Sequence, residues 1–363
     1  MPSHTTTTGT TTNMPSHTIT TGTTRPIYQP LHPSARPLLD PEYVAFHDAH
    51  LQYILPDDRK PWDGSARAGH GGAMPPTESP PVPVGRVLDI HSIAGRYDVR
   101  IFTPPPLPSG SGGAPWPVFL WFHGGGWCVG DVSHNNDACA LICTRARCVV
   151  VAVGYRLAPE HVFPAAIDDA AHALRWARHA HGLAAHLGSG EALDPSRVAV
   201  GGLSAGGQLA ASLAFEEGGE DLAFALLVVP VVDSTATVGT TWARNADAPW
   251  LTPKRMAWYR DMYFRGKDEE DRRHWRASPN FAPAALLARS PRTWIAVAER
   301  DLLAPEAEGY AEQLAAAWDG EGVKDREVVV KVYQGSTHSI LALNGEFSTA
   351  ALFAWFCGVP CES

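Results

Sequence analysis

The chain has 363 residues, which exceeds one average domain but suits a large α/β protein folded as a single unit. Hydrophobic residues make up 45% and charged residues 18%, as is typical of a globular protein with a large buried core. The net charge of −9, without any Lys/Arg cluster, argues against nucleic acid or an anionic membrane as a partner. No apolar run reaches the roughly 18 residues of a membrane span.

Residues 1–24 contain a Thr-rich segment that starts at Met1 and is repeated from Met14. Such a segment has too little apolar surface to offset the entropy lost on ordering, so we expect a disordered tail. It also lacks the cationic start and the apolar core of a secretory signal. Translation from Met14 is an alternative to translation from Met1.

Residues 25–84 are expected to form an N-terminal cap helix and a linker. Asp40 and Pro41 are a helix-start signal, and apolar residues then recur at near-helical spacing to about residue 55. Residues 56–84 are rich in Pro and Gly, which favours an extended connection. Residues 85–363 are then expected to form the main domain, which opens with a β-hairpin.

An apolar segment at 118–122 reads as a buried strand and leads directly into His-Gly-Gly-Gly-Trp at 123–127. Glycines can aim backbone N–H groups at a developing oxyanion without steric hindrance. Two of the N–H groups of Gly124, Gly125 and Gly126 are therefore candidates for an oxyanion hole. A phosphate-binding loop would require Gly-Lys-Ser/Thr before a helix, and this pattern is absent from the segment.

Ser204 lies at the centre of Gly-Leu-Ser-Ala-Gly, between a strand-like segment at 197–201 and a helix-like segment at 207–214. This order is the context of a nucleophile elbow, a sharp turn that points the serine Oγ out of the sheet. The N–H of Ala205 would complete the oxyanion hole. The alternative is an ordinary turn of small residues, which the flanking segments disfavour.

Together with the block at 155–169, these motifs resemble the hormone-sensitive-lipase-like esterases of the α/β-hydrolase superfamily, over about residues 85–355. The resemblance implies an α/β-hydrolase fold, with a mostly parallel central sheet flanked by helices. It implies a helical cap from the N-terminal segment and from an insertion after the sixth core strand, at about 234–290. A charged brace behind the oxyanion loop is also implied, formed by Arg156, Glu160, Asp168 and Asp169.

A serine nucleophile requires a histidine base and a carboxylate, which follow it in this fold in the chain order Ser, Asp/Glu, His. Asp301 follows the strand-like segment 293–298, where the family carries its acid. His338 follows the last predicted strand, 327–333, and is the expected base.

Other carboxylates compete with Asp301 for the role of the acid. Asp233 is the main rival, because it follows the apolar run 224–232, where some α/β-hydrolases keep their acid. Glu299 and Glu306 are weaker alternatives, since surface carboxylates near loops are common. The chain also departs from the family at Leu203, Leu302 and Ser339.

A second cap helix is predicted from Pro253 to about Phe264, because Thr252 and Pro253 form a helix-start signal. Aromatic residues near the oxyanion loop and in this insertion are candidates for an apolar substrate pocket. The alternative is that they pack on the core. The candidates are Trp127, Trp250, Trp258 and Tyr259.

Six cysteines are too few for a secreted disulfide scaffold, so we expect reduced thiols and a cytoplasmic location. The pairs Cys139/Cys143 and Cys357/Cys361 have a spacing that zinc can use, but helix packing or chance is the preferred interpretation. His123 lacks an accompanying His-Glu-x-x-His and is expected to anchor the oxyanion loop. No metal or cofactor is expected.

The sequence therefore predicts a serine carboxylesterase that hydrolyses small to medium esters through an acyl-enzyme on Ser204, either as a monomer or as a homodimer. One alternative is a pathway-specific hydrolase, lactonase or acyltransferase for a larger metabolite. Another is a non-catalytic small-molecule receptor, because fold does not fix function. Such receptors lack the catalytic histidine, whereas His338 is present.

Overall fold

The computed structural model describes residues 25–68, 82–106, 114–179, 181–188, 192–216 and 221–340. The predicted tail at 1–24, much of the linker, and both Cys357 and Cys361 lie outside these ranges. None of the helices in the described ranges has the length and apolarity needed to cross a membrane.

A single sheet runs through the described residues. Its strands are β1 (Arg86–Ile93), β2 (Tyr97–Thr103), β3 (Trp116–Phe122), β4 (Val149–Gly154), β5 (Leu193–Leu203), β6 (Phe224–Val228), β7 (Thr293–Ala298) and β8 (Val328–Tyr333). Their spatial order is β1-β2-β4-β3-β5-β6-β7-β8. β1 and β2 pair antiparallel, as do β2 and β4, and every later pair is parallel. The mostly parallel sheet predicted from the sequence is confirmed.

Helices connect and flank these strands. They are α1 (Pro41–Ala49), α2 (Ser65–Ala68), α3 (Asn136–Ala146), α4 (Ala165–Arg178), α5 (Ala205–Leu213), α6 (Pro253–Tyr263), α7 (Glu269–Arg273), α8 (Ala284–Leu287) and α9 (Ala304–Gly320). Side chains of β3 alternate between two apolar clusters: Leu120 and Phe122 share one with α4, α5 and α9, while Phe119 and Trp121 share the other with α3. Both faces of the central part of the sheet are therefore buried, which explains why β3, β4, β6 and β7 are almost continuously apolar.

The parallel pairing brings the carboxyl ends of β3, β5, β7 and β8 to one edge of the sheet. Ligand sites of open α/β sheets lie outside this edge. The loop 123–127, Ser204, Asp301 and His338 each follow one of these strands in the chain. Residues far apart in the sequence therefore arrive in one region.

Two segments occupy the positions predicted for the cap. One precedes β1 in the chain, and the other lies between β6 and β7. In the first, the Asp40 side chain caps α1 by accepting from the N–H groups of Glu42 and Tyr43. This helix ends at Ala49, earlier than the predicted boundary near residue 55, because His50 leaves helical geometry with φ −131° and ψ −56°. A short 3-10 turn follows at Leu51–Tyr53.

The second segment connects β6 to β7 and contains α6, α7 and α8. As predicted, Thr252 caps α6, and its hydroxyl accepts from the Arg255 N–H at 3.2 Å. β6 ends at Val228, short of the predicted end at residue 232, because Val229 takes a positive φ of 40° and Pro230 has no N–H for a ladder. The shorter strand turns the chain away from the sheet and into the insertion.

The four residues of the predicted charged brace take part in three separate ion pairs. The Asp169 carboxylate, fully buried on α4, accepts from the backbone N–H and the guanidinium of Arg156 at 2.8–3.0 Å. Glu160 instead pairs with Arg67 of the N-terminal segment, and Asp168 pairs with Arg276 of the insertion at 2.9 Å. The pairs made by Glu160 and Asp168 connect the two cap segments to the body.

Removal of the Asp169 carboxylate is expected to destabilise the fold. Asp169→Ala leaves the Arg156 groups without their acceptor, which should lower the free energy of unfolding by about 2–3 kcal/mol, because Arg156 can reach water only in part. Urea unfolding followed by circular dichroism measures the change. Asp194→Ala, which breaks the exposed pair with Arg197, is the control and should cost less than about 1 kcal/mol. Equal losses in the two variants would contradict the argument.

Candidate active site

Ser204 occupies a strained turn between β5 and α5. Its φ of 56° and ψ of −115° are unfavourable for a residue with a side chain, at a cost of about 1–3 kcal/mol. The turn is held by hydrogen bonds from Ser204 N–H to the Val228 carbonyl at 2.9 Å and from Val231 N–H to the Ser204 carbonyl at 3.2 Å. A Cβ on Gly206 would lie 2.0 Å from the Phe122 carbonyl oxygen, so only glycine fits there. This is the geometry of a nucleophile elbow.

Hydrogen bonds at both ring nitrogens of His338 connect the serine to the acid. His338 Nε2 lies 2.9 Å from Ser204 Oγ, and Nδ1 lies 2.8 Å from Asp301 Oδ2. Asp301 is 1% exposed and Ser204 6% exposed. The arrangement suits a neutral imidazole that donates its Nδ1–H to Asp301 and accepts the serine proton at Nε2.

The rival carboxylates have other partners. The Asp233 carboxylate accepts from the N–H and hydroxyl of Thr235 at 2.8 and 2.6 Å, and it makes no contact with His338. Glu299 accepts from the Gly335 N–H at 2.8 Å. Geometry therefore favours Asp301 as the acid.

Glu306, the remaining alternative, lies on the first turn of α9. Its carboxyl group accepts from the Val232 N–H at 3.0 Å and from Trp242 Nε1 at 3.1 Å. Burial raises the pKa of Glu306 to about 8, and nearby Asp233 adds to this effect. Its carboxyl group therefore acts as a buried bridge to the insertion and does not reach the histidine.

The glycines of the segment 123–127 follow β3 and leave their amides available. Within the described residues, the N–H groups of Gly124, Gly125 and Gly126 donate to no protein acceptor. A Cβ on Gly125 would lie 2.2 Å from the Val129 carbonyl oxygen, and one on Gly126 would lie 2.2 Å from the Tyr259 ring. The positive φ values of 112° and 57° also favour glycine at these two positions. The loop can therefore present unpaired N–H donors to an oxyanion next to Ala205.

The oxyanion loop is fixed from behind by an aromatic contact. The Tyr155 ring stacks on His123 at 4.3 Å, and its hydroxyl donates to the His123 carbonyl at 2.8 Å. His123 Nδ1 donates to the Gly124 carbonyl at 2.7 Å. Arg67 Nε donates to the Cys128 carbonyl at 2.9 Å at the other end of the loop. His123 thus lies at the anchor position expected from the sequence.

A cavity of about 260 Å³ opens onto Ser204, His338 and the three glycines. Both cap segments line it. Its apolar wall is formed by Ile54, Leu55, Pro56, Leu203, Trp250, Leu251, Met256 and Tyr259, and its charged groups are Asp57, Lys60 and Arg255. A larger groove of about 530 Å³ beside Trp275 is lined by no serine, cysteine or histidine, so it lacks a nucleophile.

The aromatic pocket candidates separate into two groups. Trp250 and Tyr259 line the cavity, whereas Trp127 and Trp258 do not. Trp127 is fully buried because it stacks on Tyr263 at 4.4 Å and donates to Gln208 at 3.0 Å. On α6, Met256 and Tyr259 face the cavity. Trp258 lies on another face of this helix, and its ring packs on Trp62 with 5.8 Å between the ring centroids.

The predicted helix packing of Cys139 and Cys143 is seen on α3, where both thiols are free and buried. Cys128 and Cys148 are also buried. Among the residues with described positions, no group of three or more His, Cys, Asp or Glu side chains could hold a metal ion.

Two residues that contact the site's supporting backbone were missed at the sequence level. Arg67 lies in a segment interpreted as a linker, and Asn245 is a single amide in a loop. Neither carries a local pattern, because each acts on backbone carbonyls far away in the chain. Only the folded structure reveals them.

Comparison with known proteins places the chain in a family. A model of the alpha/beta hydrolase fold matches residues 119–342, which is more than half of the chain. The chain belongs to this family of alpha/beta hydrolases. The resemblance to its hormone-sensitive-lipase-like esterases is thereby confirmed.

Several alpha/beta hydrolases resemble the chain over most of its length. An AB hydrolase superfamily protein of Schizosaccharomyces pombe is 37% identical over 87% of this chain and 91% of its own length. The esterase LipI of Mycobacterium tuberculosis is 38% identical over 69% of this chain and 75% of its own length. The crystal structure of a thermostable esterase from Pseudomonas putida aligns with a TM-score of 0.70 at 28% identity, covering 88% of this chain and 95% of that one.

The acid can be assigned by comparing two matched variants. Asp301→Asn keeps the shape of the side chain but favours the wrong histidine tautomer, so kcat on an aryl ester should fall by roughly 10⁴-fold. Asp233→Asn should leave kcat close to the wild-type value, since the Asp233 carboxylate accepts hydrogen bonds from Thr235 and none from His338. Steady-state kinetics with p-nitrophenyl acetate measures both. A large loss in Asp233→Asn with little change in Asp301→Asn would transfer the role to Asp233.

Proposed function

We propose that the chain is a serine carboxylesterase that hydrolyses small to medium carboxylic esters through an acyl-enzyme on Ser204. The observation that carries this proposal is the pair of hydrogen bonds from His338 to Ser204 Oγ and to Asp301, at 2.9 and 2.8 Å. A binding protein has no need for a base in line between a serine and a buried carboxylate. The esterases among the similar proteins support an ester as the substrate class.

In the first step, Ser204 Oγ attacks the ester carbonyl carbon while His338 Nε2 takes the serine proton. The carbonyl oxygen becomes an alkoxide, which the N–H groups of the glycine loop and of Ala205 stabilise. The histidine then gives its proton to the leaving alcohol, and the acyl group stays on Ser204. Asp301 holds the tautomer and stabilises the imidazolium.

In the second step, water replaces the alcohol and the same groups act again. His338 takes a proton from the water as it attacks the acyl carbon, and returns that proton to Ser204 Oγ as the carboxylic acid leaves. The serine is regenerated without any cofactor.

The size of the cavity supports small substrates. Its volume of about 260 Å³ lies below the roughly 300–1,000 Å³ of pockets for drug-sized ligands. Trp250, Met256 and Tyr259 restrict it on the side of the insertion. An acyl chain of a few carbons fits this volume, and we expect a longer chain to press against Trp250 and Tyr259.

We also propose that the protein acts in the cytoplasm. The thiols of Cys128, Cys139 and Cys143 are free and buried, which supports the reduced thiols expected in the cytoplasm. A homodimer stays an alternative to a monomer.

The nucleophile is tested by covalent labelling as well as by rate. Ser204→Ala should lower kcat by roughly 10⁵–10⁶-fold, because the base then has no hydroxyl to activate. An aryl phosphonate should add one phosphonyl group to the wild-type protein, detected by intact mass spectrometry, and none to Ser204→Ala.

The labelling control is Ser65→Ala, which removes another serine of the cavity wall and should leave the adduct intact. Persistent labelling or hydrolysis in Ser204→Ala, with a normal thermal unfolding curve, would contradict the assignment.

Chain-length preference should follow the cavity. Acetyl to hexanoyl p-nitrophenyl esters should give higher kcat/KM than decanoyl or longer ones. Trp250→Ala should raise kcat/KM on longer chains by up to about fourfold for each methylene group newly accommodated, because each buried CH₂ contributes about 0.8 kcal/mol.

Val238→Ala, at an exposed side chain of the same insertion, is the control for the chain-length series. It should leave the profile unchanged. A wild-type preference for emulsified long-chain lipids would replace the carboxylesterase proposal with a lipase.

A further inference from the structure

Asn245 contacts the backbone that carries the acid. It is the last residue of the 3-10 turn Thr241–Asn245, which belongs to the insertion between β6 and β7. Its side chain is buried, and Nδ2 donates to the Asp301 carbonyl at 2.6 Å and to the Glu299 carbonyl at 3.0 Å. Both amide protons of Asn245 are therefore directed at the turn that follows β7.

The Asp301 carboxylate has little other support. Oδ2 accepts from His338, whereas Oδ1 is buried and has no hydrogen-bond partner among the described residues. The side chain therefore depends on its own backbone for its position. Two local hydrogen bonds hold this backbone: the Asp301 N–H donates to the Ala298 carbonyl at 3.0 Å, and the Ala304 N–H donates to the Asp301 carbonyl at 3.2 Å. Asn245 adds a hydrogen bond from a segment that is distant in the chain.

The turn that carries Asn245 is itself anchored. Trp242 Nε1 donates to Glu306 Oε2 at 3.1 Å, and the other carboxyl oxygen of Glu306 accepts from the Val232 N–H at 3.0 Å. The Arg260 guanidinium lies over the Trp242 ring, 4.4 Å from its centroid. The 3-10 turn is thus fixed to the start of α9, so the backbone that carries Asn245 is held in place.

The acid turn is also bonded to the histidine loop. Glu299 Oε2 accepts from the Gly335 N–H at 2.8 Å, and the Arg300 N–H donates to the Ser336 carbonyl at 2.8 Å. A displacement of the acid turn would therefore move the backbone that leads to His338. The amide at position 245 acts at the start of this chain of contacts.

We propose that Asn245 is a positioning residue through which the cap insertion holds the Asp301 turn, and with it the His338 hydrogen bond, in the reactive geometry. The inference rests on the proposed esterase function and adds a residue to it. A misplacement of about 1 Å in a catalytic group can cost about 100-fold in rate. Because Asn245 does not line the substrate cavity, its loss should change kcat and leave KM nearly constant.

The test compares Asn245→Ala with Arg244→Ala. Arg244 belongs to the same turn and also contacts α9, through an exposed ion pair with Glu308 at 2.6 and 3.0 Å, but it does not contact the acid turn. With p-nitrophenyl acetate, Asn245→Ala should lower kcat by roughly 10–100-fold at a nearly constant KM. Arg244→Ala should keep the wild-type kcat.

A spectroscopic readout separates positioning from general destabilisation. The Nδ1 proton of His338 should give a low-field ¹H NMR signal in the wild type and in Arg244→Ala. In Asn245→Ala, this signal should broaden or disappear at a temperature where the protein is fully folded. If that variant does not fold, Asn245→Ser, which keeps a small polar group, is measured in its place and should show the same loss.

A wild-type kcat and an unchanged low-field signal in the folded Asn245 variant would overturn the proposal. So would an equal loss of kcat in Arg244→Ala. Failure of the esterase function is a separate result: the wild type would then neither hydrolyse the ester nor take up the phosphonate on Ser204. A labelled, active wild type together with an equally active Asn245→Ala would remove only the role of Asn245.

Discussion

The two hydrogen bonds of the His338 ring are the constraint on which the rest of the structure depends. They join groups that are 134 and 37 residues apart in the chain, and each bond tolerates an error of only a few tenths of an ångström. Parallel pairing of β5 through β8 meets this requirement, because it aligns the ends of the strands that carry the three groups. The strain at Ser204 persists because Val228 and Val231 bond to its backbone on both sides.

The cap segments contribute to this geometry as well as to the cavity wall. The Asp40 N–H, at the start of α1, donates to the Gly335 carbonyl in the histidine loop at 3.0 Å. Arg255 of the insertion reaches back to Gln29 of the N-terminal segment at 2.7 Å and to Asp58 at 3.5 Å. The two cap pieces therefore hold each other over the site, and each also contacts a loop that bears a reactive group.

The sequence was most informative where function depends on local order. The elbow at Ser204 and the positions of Asp301 and His338 follow from a strand and the turn directly after it, so a single chain segment contains the signal. The aromatic pocket was harder to predict, because the direction of Trp127 depends on a stack with Tyr263 that only the fold creates. The role of Asn245 could not be predicted from the sequence. Its partners are backbone carbonyls, which every residue type carries, so no sequence pattern marks the contact.

Two contacts of the N-terminal segment affect how the substrate choice of such proteins can change. Arg67 donates to the Cys128 carbonyl, and the Asp40 N–H donates to the Gly335 carbonyl. A cap that only covered a pocket could be exchanged between relatives as a module to alter substrate choice. Here the N-terminal segment also supplies groups that support the oxyanion loop and the histidine loop. A transplanted cap would have to reproduce those backbone contacts before its new pocket could be of use, so selectivity and catalytic competence are inherited together.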